Sequence, residues 1–196
     1  MKYWLTLALL SVLAYNVHAQ EDVYGFWGIP FYKNREEVKQ KASENKFLSV
    51  VEKKNKLHYL EADFASTKAD IHLFFQHDTF YSAAAILGYD YAEHLMPAWQ
   101  AWSEKLVNKY GPPKVKSEYL PDYVTDVRDM TQMEKALKHG EVNYEFIWYL
   151  DYYIKGHYLI TILKIEDARH ISLSMTGAAI HARKRKSEKI ANPSDY

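Results

Sequence analysis

The chain contains no cysteine among its 196 residues, so neither a disulfide framework nor a thiolate metal site can hold it together. Glycine is scarce, at seven residues, and builds no phosphate-cradling loop, dinucleotide fingerprint or nucleophile elbow. His-Glu-x-x-His spacing is missing, which removes the usual helix-borne zinc motif, and no metal or cofactor is expected. Neither sign of charge is in excess: 25 lysines and arginines face 25 aspartates and glutamates, which argues against bulk nucleic-acid binding. Past the N-terminal segment no apolar run approaches the ~20 residues that cross a bilayer, so no membrane span is expected in the mature chain.

What the sequence does hold in quantity is aromatic: 17 Tyr, 8 Phe and 5 Trp. Without covalent cross-links, stability must come from packing, and these rings bring large apolar areas to a core.

The N-terminus has the three parts of a secretory signal peptide in order. Lys2 supplies the positive start, the stretch from Tyr3 to Tyr15 is almost wholly apolar, and Val17-His18-Ala19 ends it with short residues at the cleavage positions. Residues 1–19 therefore read as a cleavable signal with Gln20 as the mature N-terminus, giving a periplasmic or extracellular product. With no cysteine to carry a lipid, the product is expected to be free of an anchor. Residues 20–180 read as one α+β domain. Residues 181–196, with Arg183, Lys184, Arg185, Lys186 and Lys189, read as a basic, flexible C-terminal tail.

Within the domain, Asn34-Arg35-Glu36-Glu37 has the form of a capping box and opens a helix reaching about Asn45, with Val38 and Ala42 inward. Short strands follow at Phe47–Glu52, Leu57–Phe64, Ala69–Gln76 and Phe80–Leu87. The third of these is separated from the fourth by a His77-Asp78 turn. In Leu57–Phe64, simple alternation puts His58, Leu60, Ala62 and Phe64 on one face and Tyr59, Glu61 and Asp63 on the other. Leu95, Trp99, Trp102, Leu106 and Tyr110 recur at helical spacing and form one apolar stripe, closed by Gly111 and Pro112-Pro113. Residues 114–130 read as a long connection, and Thr131–His139 as a short helix. Val142–Leu150, His157–Ile165 and Arg169–Thr176 read as the last strands. The expected fold is α+β: an antiparallel sheet of about six to seven strands with two main helices on one face, in an order that suggests a helix-plus-meander duplication.

No residue set assembles an obvious catalytic centre. Glu61 and Asp63, with His58 or His72 nearby, are the candidates for a hydrolase that uses paired carboxylates. A charged, solvated strand face explains Glu61 and Asp63 as well, and ordinary strand-surface histidines explain His58, His72 and His77. The aromatic group Trp148, Tyr149, Tyr152, Tyr153 and Tyr158 is the candidate partner-binding set, because exposed tyrosine is enriched at binding surfaces and sugars stack on such rings.

Several blocks carry a resemblance. Phe26-Trp27-Gly28-Ile29-Pro30 precedes the capped helix, followed by Leu60-Glu61-Ala62-Asp63-Phe64-Ala65. Further on come Leu106-Val107-Asn108-Lys109-Tyr110-Gly111-Pro112 and the hairpin between Tyr144 and Ile165. Together they resemble a group of small exported bacterial proteins of unknown function, marked by an F-x-G-I-P start and a helix ending L-x-x-K-Y-G-x-P. The resemblance implies helices against an antiparallel sheet and brings no catalytic or binding residues. The expected function is a non-enzymatic module that binds a protein or glycan partner in the cell envelope or outside the cell. The alternatives are the hydrolase and a structural subunit of an envelope complex.

Overall fold

A computed structural model describes residues 25–126, 129–152 and 157–177. The signal segment 1–19, the basic tail 181–196 and Tyr153 lie outside the described residues.

The described chain opens with a small hairpin. Gly25–Phe26 (β1) pairs with Ile29–Pro30 (β2) across Trp27-Gly28, both of which take positive φ, at 57° and 75°. Positive φ at both central residues matches the right-handed twist of the strands it joins. Helix Arg35–Ala42 (α1) then starts on the expected capping box: Asn34 Oδ1 accepts from the Glu37 amide at 2.9 Å, and Glu37 Oε2 accepts from the Asn34 amide at 3.2 Å. Lys33, bonded to the Glu37 carboxylate at 2.8 Å, and that amide hold Glu37 below the usual carboxylate range.

Eight antiparallel strands form the main sheet: Ser49–Lys53 (β3), Lys56–Phe64 (β4), Thr67–Gln76 (β5), Thr79–Gly88 (β6), Val115–Tyr119 (β7), Asn143–Tyr152 (β8), His157–Ile165 (β9) and His170–Gly177 (β10). Their spatial order is β3-β4-β5-β6-β10-β9-β8-β7. Each half of the chain is a helix followed by a run of strands stepping inward, and the last strands of the two halves, β6 and β10, meet in the middle. In the second half, helix Leu95–Tyr110 (α2) leads into β7, and helix Met130–Lys138 (α3) is inserted before β8.

The core lies between one face of this sheet and the helices. A row of the register runs Leu57, Leu73, Ala83, Met175, Thr161 and Trp148, all buried. From α2, Trp99 meets Tyr144 and Phe146 edge-on, while Trp102 stacks on Phe64 at 5.7 Å. From α1, Val38 and Ala42 are buried and Arg35 lies over the Phe75 ring. α3 adds Met133, Ala136 and Leu137 to the same core. Gly111, at φ 76°, ends α2, and its amide donates to Val107 O at 2.8 Å.

The α+β class and the large antiparallel sheet are as expected, and two features correct the sequence reading. The sheet has eight strands rather than six to seven, because Val115–Tyr119, read as connection, is an edge strand. Four of its five residues are exposed, so it carries no apolar alternation to betray it. The alternation in β4 also breaks. Tyr59, Ala62 and Phe64 are all buried, because a bulge between Tyr59 and Ala62 inserts one residue and resets the parity. Glu61, at φ 47°, is the residue that absorbs it.

Candidate functional site

The opposite face of the sheet carries no helix among the described residues, and the register places an unbroken row across all eight strands on it. The row runs Val51, His58, His72, Ala84, Ser174, Ile162, Ile147 and Val115. Beside it runs a second row, Lys53, Lys56, Phe74, Ser82, Thr176, Ile160 and Tyr149. An antiparallel sheet with one solvated face normally alternates apolar inside and polar outside. Here β-branched and aromatic residues occupy the outside as well.

Size and chemistry vary across this face. The central strands present small residues (Ser82 and Ala84 on β6, Ser174 and Thr176 on β10), and the Ser82 and Thr176 hydroxyls bond each other at 2.7 Å. Larger side chains flank this strip on both sides. One flank is aliphatic: Ile147, Ile160 and Ile162, ending in Tyr149 and Val115, which are 47% and 41% exposed. The other is titratable: the His58 and His72 rings meet edge-on with centroids 4.2 Å apart, Lys56 Nζ lies 3.2 Å from His72 Nδ1, and Asp70 Oδ2 lies 3.4 Å from His58 Nε2. Partial burial of the His72 ring, then the positive fields of His58 and Lys56, lower its pKa to about 4, with Asp70 pulling the other way.

The candidate aromatic set divides. Trp148 faces the helices at 1% exposure, and its indole nitrogen donates to Gly111 O, so it serves the core and cannot meet a partner. Tyr149, its neighbour, points to the open side. Tyr152 and Tyr158 are placed by backbone only, opposite His157 and Asp151 in the β8–β9 hairpin. Tyr153 lies outside the described residues.

The carboxylate candidates divide too. At one end of the open face an open depression of about 490 Å³ is lined by Glu61, Asp70, Tyr89, Asp90, Arg169 and His170, among others. Asp63 is not part of that lining. It is ion-paired with Lys68, and that lysine holds its carboxyl below the usual range. His58 and His72 are also outside that lining and meet each other edge-on. An acid/base pair needs two carboxyls in one cleft with their pKa values driven apart; the two histidines meet each other, but Glu61 and Asp63 do not share that cleft. Among the described residues, no group of three or more His, Cys, Asp or Glu could hold a metal ion.

The aliphatic flank is the feature that sequence reading missed. Ile147, Ile160 and Ile162 alternate with the buried Phe146, Trp148, Leu159, Thr161 and Leu163, so apolar residues occupy both faces of β8 and β9.

No protein-family model, no curated protein and no solved structure matches this chain. Among the described residues, no helix is long and apolar enough to cross a membrane.

Proposed function

We propose that this protein is an exported, non-enzymatic interaction module that binds a protein partner in the cell envelope or outside the cell through the open face of its eight-stranded sheet. The observation that carries the reading is the row from Val51 to Val115, which puts five apolar residues on a side of the sheet that no described helix covers. Apolar surface of this breadth marks a contact site. Eight strands about 4.8 Å apart and two side-chain rows deep give a face of roughly 40 by 14 Å, somewhat under the ~800 Å² per partner that a specific protein interface buries. The aliphatic character favours a protein over a glycan, since sugar recognition leans on flat aromatic platforms and the two exposed tyrosines on this side among the described residues, Tyr149 on β8 and Tyr119 opposite Asn143, stand six residues of β8 apart. A structural subunit of an envelope complex would use the same face in the same way.

The test places photo-crosslinking residues at Ile162, Tyr149 and Val115, and as a control at Val107, which is exposed on the outer side of α2. The reading expects one discrete protein adduct from the three sheet positions, none from Val107, and loss of the adduct in Ile147→Lys. Equal adducts from Val107, or binding to a glycan array that survives Ile147→Lys, sinks it.

A further inference from the structure

The two imidazoles on the titratable flank differ in their outer neighbours. Lys56 Nζ approaches His72 Nδ1 at 3.2 Å, a contact in which the ammonium donates and that ring nitrogen must be unprotonated. His58 Nε2 is buried without a hydrogen bond, with Asp70 Oδ2 at 3.4 Å. The groups facing the pair can be followed strand by strand. β3 contributes Val51 and Lys53; β4 contributes Lys56; β5 contributes Asp70 and Phe74; β6 contributes Ser82 and Ala84, which do not titrate. One carboxylate therefore faces two lysines and two rings. A proton added to His72 removes the acceptor for Lys56 and sets two like charges side by side.

We propose that the edge-on His58–His72 contact makes the open face acid-labile: a neutral His72 ring completes a continuous contact surface, and its protonation turns that flank more cationic, parts the rings and expels an apolar partner. The proposal rests on the open face being the binding surface. A chain that meets its partner at neutral pH would then release it only in strongly acidic surroundings, near pH 4 and below, through a change confined to one flank of a sheet whose opposite face holds the core.

The test uses the full chain with Nile red, an uncharged dye that reports apolar surface, and far-UV circular dichroism at each pH to show that the fold persists. The expected result is a dye signal near neutral pH that falls to about half by pH 4, and several-fold by about pH 3, in the unsubstituted protein and stays level in His72→Phe. Ile162→Lys, on the other flank, should lower the signal at neutral pH. If Ile162→Lys leaves the signal unchanged, the open face is not the binding surface and the underlying reading fails. If Ile162→Lys lowers it but His72→Phe loses signal in acid as the unsubstituted protein does, the histidine pair is what fails. Should His72→Phe not fold, His72→Gln serves as a second uncharged replacement. A His72 ring-proton resonance with its midpoint above about pH 6 overturns the proposal independently.

Discussion

The indole nitrogen of Trp148 donates a hydrogen bond to the carbonyl oxygen of Gly111, 2.8 Å away, tying strand β8 to the residue that ends helix α2. The ring is buried and edge-on to Phe146, so one side chain fixes where the longest of the described helices stops over the sheet. Replacing Trp148 by Phe removes the donor and leaves a void. The expected cost is about 2 kcal/mol, read as a shift in the urea midpoint at unchanged slope. Tyr149→Ala, one residue away on the other face, should move stability by less than about 0.5 kcal/mol and weaken partner binding instead.

Thr161 is wholly buried in the helix-facing row between Met175 and Trp148, and its hydroxyl has no hydrogen-bond partner. Thr161→Val keeps the shape and removes the stranded hydroxyl. Thermal unfolding should show a gain of about 1 kcal/mol. A loss of stability would mean that the hydroxyl has a partner after all.

The β4–β5 turn is made by Ala65 and Ser66 at φ 47° and 71°, a left-handed path taken without glycine. Ser66→Gly relieves that strain, less the extra freedom that glycine gives the unfolded chain. A net gain of about 0.5–1 kcal/mol, or a melting temperature higher by a few degrees, is expected.

His72 gives stability a pH dependence whose sign follows from its position. Its folded-state pKa of about 4 lies below the ordinary 6.5, so the unfolded chain takes up the proton first. Stability is unaffected above about pH 7, declines as pH falls from 6.5 towards 4, and declines no further from this source below that. Equilibrium denaturation across that range should show a slope that His72→Phe flattens.

Asn34→Ala removes one half of the capping box on α1. A loss of about 1 kcal/mol is expected, with Glu37 titrating closer to an ordinary glutamate once its amide partner shifts.

Much of this architecture is legible in the sequence. The capping box at Asn34, the stripe from Leu95 to Leu106 and seven of the eight main strands follow from local signals that residue type and spacing carry directly. β7 does not, because an edge strand owes its conformation to hydrogen bonds with β8 and not to its own side chains. The bulge at Glu61 is equally invisible: alternation predicts either parity along β4, and burying both Tyr59 and Phe64 under the helices is what selects a break. The candidate surface was half legible for a related reason. Alternation separates Trp148 from Tyr149, but which of the two faces is covered depends on where α1 and α2 come to rest, a property of the whole chain.

The hydroxyls of Ser82 and Thr176, bonded across the central seam, are 94 residues apart in the chain. The four-stranded half built from β3 to β6 therefore keeps one edge unpaired until the final strand has been synthesised. Closure of the sheet is a late, long-range event, which slows folding. Until β10 arrives, the two half-sheets have no seam to join them, so the core under the helices is completed by one strand.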